Sequence, residues 1–188
     1  MDDDTARITP THPYGRGSWI EYRGGASAGA MPTTGIFATM NAKTGLTGFD
    51  LPTESMWEIA ARAGDPGLYI GGSVSASLAY GWFTNNNGGK MMPVGQKLPN
   101  AYGLYDFAGN IWERTLDHFD DSKDLAVLQP EALIPITSGN YNGSCLKSGG
   151  HNSSAGSYWT WYSARSMAGW THNTSGSHVG FRISYFPR

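Results

Sequence analysis

Charge, cysteine and long apolar runs are what this sequence has least of. Only 15% of its 188 residues are Asp, Glu, Lys or Arg, against about a quarter in an ordinary globular chain. The net charge is −2 and no basic run occurs, which argues against a nucleic-acid partner. The single cysteine, Cys145, excludes an internal disulfide and reads as a small buried hydrophobe. No apolar stretch approaches the ~18 residues of a membrane span, so membrane insertion is not expected. Met1-Asp2-Asp3-Asp4 leads into no apolar segment. The expectation is a chain without a signal peptide, cytoplasmic unless a partner displays it.

Glycine and aromatic rings are abundant instead: 26 Gly, 7 Trp, 10 Tyr and 7 Phe. Such a chain builds its core from aromatic packing and makes many turns with positive φ. Its length suits one domain, taken as residues 13–188 behind a flexible tail, 1–12. Residues 13–50 carry scattered apolar side chains, with a short strand expected at Trp19-Ile20-Glu21-Tyr22 and turns at Gly24-Gly25 and Gly45. Leu51 to Gly64 reads as a helix. Thr53 is its N-cap after Pro52, Met56, Ile59, Ala60 and Ala63 share a face with Trp57 beside it, and Gly64 is the stop. Residues 65–100 are loop-rich, but Trp82-Phe83 before Asn85-Asn86-Asn87-Gly88-Gly89 implies a packed turn rather than a linker.

Two stretches carry candidate chemistry. In Tyr102-Gly-Leu-Tyr-Asp-Phe-Ala-Gly-Asn-Ile-Trp-Glu113, several oxygen donors lie close together. The residues alone leave open a turn entering a strand or a calcium-type oxygen cluster. Asp117, Asp120, Asp121 and Asp124 read as solvated surface. The second stretch is His151 to His178, with no Leu, Ile, Val, Asp, Glu or Lys, and one Arg; it holds three Trp and two Tyr among Ser, Thr, Asn, His, Gly and Ala. It has no aliphatic periodicity for a buried helix or strand and too many aromatics for disorder. Tyr and Trp with Ser, Gly and Asn is the composition of a binding surface. An irregular, glycine-rich core strand with polar loops is the other reading of the same residues.

Five motifs in order resemble the formylglycine-generating enzyme (sulfatase-modifying) family. They are Leu51 to Gly64; Asn85 to Gly89 with Pro93-Val94-Gly95 and Lys97-Leu98-Pro99-Asn100; Tyr102 to Glu113; Gly149-Gly150 with Ala164-Arg165-Ser166; and Val179-Gly180-Phe181-Arg182-Ile183. Together they cover about residues 36–186. Met56 stands where the family usually has Glu, so the helix loses its capping box. The resemblance implies an α+β fold, a variant of the C-type lectin fold with a small twisted antiparallel sheet, about two helices and much irregular loop. It also implies a structural calcium ion held by the side chains of Asp106 and Glu113 and the carbonyls of Gly109 and Ile111. A second family calcium site is not expected, because the short Asn85–Gly89 loop replaces the segment that holds it.

The resemblance breaks at the catalytic centre. The enzymes bind copper(I) through two cysteines between the Gly-Gly and Ala-Arg-Ser motifs, and soft Cu(I) needs thiolates. Here that interval, His151 to Ser163, contains none. No copper and no enzyme activity are therefore expected. The same scaffold serves variable proteins of diversity-generating retroelements, phage, viral and microbial receptors whose variable segment ends just before Gly-Phe-Arg. Residues 151–178 occupy that position. The resemblance then implies a hypervariable ligand- or receptor-binding protein, displayed on a virion or a cell surface and facing a protein or glycan on a target surface. Its binding residues would be Asn152, Ser154, Ser157, Tyr158, Trp159, Thr160, Trp161, Tyr162, Trp170, His172, Asn173, Ser175 and Ser177. Homo-oligomerisation, as in some relatives, stays open. Two other readings stand beside it: a fixed, non-catalytic binding module, and an enzyme with altered chemistry in which His151, His172 and His178 bind a metal.

Overall fold

The computed structural model describes residues 35–118, 144–167 and 179–186. The expected tail 1–12 and the strand at 19–22 lie outside them. So do the acidic residues Asp120, Asp121 and Asp124, and Trp170, His172, Asn173, Ser175, Ser177 and His178.

Helix α1, Gly35–Thr44, is an element the scattered apolar pattern did not announce. Its Phe37 is fully buried against Leu51 and Leu116 and meets the Phe181 ring edge-on at 5.9 Å, with Ile36 and Met40 packed beside the same cluster. Gly45, expected as a turn, ends the helix at φ +70 with its N–H on the Asn41 carbonyl. The Asn41 side chain accepts from the Gly48 and Phe49 amides, leading the chain into β1, Phe49–Asp50.

Helix α2, Glu54–Arg62, starts where Thr53 accepts from the Met56 amide at 3.1 Å. It ends in a left-handed turn at Ala63 and Gly64. Its buried face differs from the expected one. Ile59 is 41% exposed, and Glu54, Ser55, Trp57, Glu58 and Ala61 face inward. Glu54, Trp57, Glu58 and Ala61 are themselves spaced as one helical stripe. The stripe is stable because both carboxylates find cations. Lys147, wholly buried, lies 3.4 Å from Glu54 and 3.2 Å from Glu58; Arg165 and Arg62 flank the pair at 3.6 and 2.8 Å. A one-turn helix α3, Val74–Ser77, follows with Ser73 as its cap.

The remaining strands are β2, Trp112–His118; β3, Ser144–Lys147; β4, Ser166–Met167; β5, Val179–Phe181; and β6, Ser184–Tyr185. Four of them form a sheet in the order β4-β3-β2-β5, while β1 and β6 pair separately. The β2–β3 and β3–β4 pairs are antiparallel, but β2 and β5 run parallel, with Glu113 opposite Gly180. The sheet is thus mixed within the expected α+β class, because a strand returning after a long excursion is free to pair parallel. Helix α2 lies across β2 and β3. The main core joins Trp57, Ala61, Ile70, Phe83, Phe107, Ala108 and Tyr162. Cys145 is fully buried in β3, as its solitary occurrence suggested. No helix among the described residues is long and apolar enough to cross a membrane.

Candidate functional site

The segment after β3 leaves the sheet through Ser148, Gly149 and Gly150 and is then held almost entirely by the 67–89 loop. Ser148 and Gly109 exchange bonds: the Gly109 amide donates to the Ser148 carbonyl at 2.8 Å, and the Ser148 hydroxyl donates to the Gly109 carbonyl at 3.1 Å. A side chain at Gly109 would strike the Trp82 carbonyl, so only glycine allows this crossing. The asparagine run then works as a clamp. Asn87 donates to the His151 carbonyl at 2.7 Å, Thr84 N–H donates to the Ser153 carbonyl, and Asn85 Oδ1 accepts from the Ala155 amide at 2.8 Å and the Ser154 hydroxyl at 3.2 Å. Asn86 fixes its own loop, donating to the Leu78 and Gly81 carbonyls and accepting from the Phe83 amide. The turn is packed, as Trp82-Phe83 implied; Phe83 is fully buried.

Beyond Ser157 a short 3-10 turn, Tyr158–Thr160, brings five rings into a continuous row. Trp112 meets Trp159 edge-to-face at 5.7 Å, Trp159 meets Tyr158 at 5.2 Å, Tyr158 meets Trp161 at 5.3 Å, and Trp161 meets Tyr69 at 6.3 Å. Each contact is the edge-on geometry that ring quadrupoles favour. Tyr69 locks the far end: its hydroxyl accepts from Trp161 Nε1 at 2.8 Å and donates to the Gly156 carbonyl at 3.1 Å. The rings are held in place while their outer parts stay in solvent, with Tyr158 49% and Trp159 43% exposed.

The structure sorts the expected binding residues. Asn152, Ser154, Tyr158 and Trp159 are exposed, and Ser157 and Trp161 are half-buried. Thr160 and Tyr162 are buried and do not belong to the surface. Thr160 turns its hydroxyl back to the Ser157 carbonyl. Tyr162 belongs to the main core, where its hydroxyl donates to Asp65 Oδ2 at 3.2 Å and Arg62 lies over its ring. Burial, then the Asp65 charge and its hydrogen bond, push the Tyr162 phenol well above the ordinary tyrosine range. Tyr69, Val74 and Asn85 line the same surface and were absent from the sequence expectation. Their signal was present but mute: Gly67 to Gly89 contains no charged residue.

In the Tyr102–Glu113 motif, where the resemblance implies calcium, the carboxylates are bonded within the protein. Glu113 Oε2 accepts from Trp57 Nε1 at 2.5 Å and Arg182 Nε at 2.6 Å, and Oε1 accepts from Arg182 Nη2 at 2.7 Å. The same guanidinium donates to the Tyr105 and Asp106 carbonyls and lies 3.6 Å above the Phe107 ring centre. Asp106 binds the Gly95 amide through Oδ2, while its buried Oδ1 has no hydrogen-bond partner among the described residues. The Gly109 carbonyl already accepts from Ser148. Asp106 thus keeps one oxygen open to a cation. Glu113 does not fit as a ligand in this arrangement, because a bidentate Arg pair already neutralises it. No group of three His, Cys, Asp or Glu gathers among the described residues.

The sulfatase-modifying factor enzyme 1-like domain model matches residues 17–185 of the chain. The chain is 31% identical to the formylglycine-generating enzyme of Mycobacterium tuberculosis, across 91% of this chain and 61% of that one. It is 35% identical to the inactive C-alpha-formylglycine-generating enzyme 2 of Bos taurus across 49% of this chain and 35% of that protein. Among solved structures, Treponema denticola variable protein 1 superposes with a TM-score of 0.60 at 30% identity, covering 74% of this chain and 48% of that one. PvdO from Pseudomonas aeruginosa shares the fold at a TM-score of 0.63. The chain spans about half to three-fifths of the length of the bacterial formylglycine-generating enzymes it matches. Its α+β architecture is the C-type-lectin variant of formylglycine-generating enzymes, and it resembles a variable protein as well as the enzymes. With the family model running through almost all of its length, the chain belongs to the sulfatase-modifying factor enzyme 1-like domain family.

Proposed function

We propose that this domain is a non-catalytic recognition module whose 151–178 segment is a diversified binding surface, recognising a ligand on a target surface. One observation carries the reading. In the interval where the family's enzymes place their copper-binding cysteines, this chain has none and instead presents a row of braced aromatic rings with exposed Ser and Asn beside them. Similarity to a variable protein supports the diversified form. Similarity to an inactive formylglycine-generating enzyme supports a fixed module as the second reading. Rigid aromatics with adaptable polar neighbours bind with little ordering cost, and display in several copies multiplies modest affinities by roughly 10²–10⁴.

The test is a displayed library in which codons 152, 154, 157, 158 and 159 are randomised. Most members are expected to remain protease-resistant, and binders to a chosen target are expected to emerge. If randomising these positions unfolds the domain as often as randomising Thr160 and Tyr162 does, the segment is core and the reading fails.

A further inference from the structure

Neither Gly67 to Gly89 nor Asn152 to Ala164 carries an Asp, Glu, Lys or Arg. They are far apart in sequence, and the fold lays one on the other. Tyr162 N–H bonds the Leu68 carbonyl, Tyr69 bonds Gly156, Val74 packs against Gly156, and Thr84 and Asn85 bond Ser153, Ser154 and Ala155. The result is a face built from 67–89 and 152–164, to which neither stretch brings a charged side chain; among the described residues, the charges that reach it, Arg62, Asp65 and Lys97, are bonded to Gly67, to Gly67 and Tyr162, and to Leu78. Its exposed groups are of two kinds. Tyr158, Trp159 and Val74 offer apolar surface, and Asn152, Ser154 and Asn85 offer amides and hydroxyls.

Given the recognition reading above, we propose that this face binds a neutral glycan, with the 67–89 loop as a constant half of the site. Hydroxyl and amide groups both donate and accept, which matches a ligand covered in hydroxyls that do the same. The C–H faces of a pyranose ring match the exposed indole and phenol. A charged partner meets, among the described residues, only charges already bonded within the protein, and loses hydration with little return. Protein partners lean on Arg anchors and on charge complementarity for steering, and the 67–89 and 152–164 stretches contribute no charged side chain to either. The braced rings lose little freedom on binding, since Tyr69 holds Trp161 and Trp112 backs Trp159.

The experiment uses the full chain and titrates it with neutral oligosaccharides (manno-, laminari-, chito- and N-acetyllactosamine series) and with acidic ones (sialyllactose, heparin fragments), reading tryptophan emission and calorimetry. At least one neutral probe is expected to saturate. Trp159→Ala is expected to weaken it by about tenfold or more. Val74→Glu, which adds a charge at an exposed framework position, is expected to weaken it similarly without lowering the melting temperature. Added salt is expected to leave the affinity unchanged, since no ion pair forms. Failure of every neutral probe to saturate, or preference for an acidic probe that salt abolishes, overturns the proposal. If no glycan binds but the displayed library yields segment-dependent protein binders, the glycan proposal falls and recognition stands. If neither binds, both fall.

Discussion

Lys147→Met probes the device that anchors helix α2 to strand β3, from which the 151–178 segment departs. Lys147 is wholly buried, with Nζ 3.4 Å from Glu54, 3.2 Å from Glu58 and 5.4 Å from the Trp57 ring centre. Methionine keeps most of the volume and removes the charge. Two buried carboxylates then share only the outer cations, Arg165 and Arg62. Breaking a buried ion pair from one side costs ~3–5 kcal/mol, and the surviving arginines place this case near the lower end. Against a typical total of ~5–15 kcal/mol, that is a large share, and for a domain of this size it corresponds to about 6–12 °C in melting temperature. Urea unfolding, with the slope checked for two-state behaviour, measures it directly. Adding Glu54→Gln and Glu58→Gln to Lys147→Met removes the orphaned charge and is expected to restore at least half of the loss. A single substitution costing under about 1 kcal/mol, or a triple variant no more stable than the single, refutes the claim that charge compensation holds α2 to β3.

Other consequences follow from the same geometry. Tyr69→Phe keeps the ring but removes the bonds to Trp161 and Gly156; it is expected to cost about 1–2 kcal/mol and to speed amide exchange in 154–161, and unchanged exchange there argues against its bracing role. Because the folded-state Tyr162 phenol titrates above the ordinary value of 10.0, its contribution to stability is complete below that value and is lost as pH rises beyond it. Alkaline unfolding monitored by phenolate absorbance is expected to move to higher pH in Tyr162→Phe. Arg182 already neutralises Glu113, so chelator treatment is expected to leave the melting temperature unchanged and Arg182→Met to lower it. A rise on adding calcium that Asp106→Asn abolishes would return this motif to the metal-binding role. Copper(I), oxygen and a cysteine-containing peptide are expected to give no formylglycine, and turnover lost on mutating His151 and His172 would restore the enzyme reading.

Some of this was legible in the sequence because local chemistry announced it. Thr53 and Gly64 mark the ends of α2, and the Tyr102–Glu113 motif does enter a strand. The inward face of α2 was not legible. Aliphatic spacing pointed to Ile59, whereas Glu54 and Glu58 are buried through a lysine 93 and 89 residues away; a carboxylate reads as surface until its partner is placed. The strands of two to four residues, β1, β3, β4, β5 and β6, carry too few positions for a period to show. Residues 151–178 stood out by composition, yet composition does not tell Tyr158 from Tyr162, one in solvent and one in the core. The uncharged 67–89 loop became part of the surface only once its contacts with 152–164 were known.

Deep sequencing of codons 151–178 across a natural population tests the central claim most directly. The account predicts substitutions concentrated in this segment, falling at exposed positions such as Asn152, Ser154 and Tyr158 and sparing the buried Ser153, Thr160, Tyr162 and Ala164. A uniform segment, or substitutions spread evenly into the framework, would contradict a diversified recognition surface and favour a fixed module.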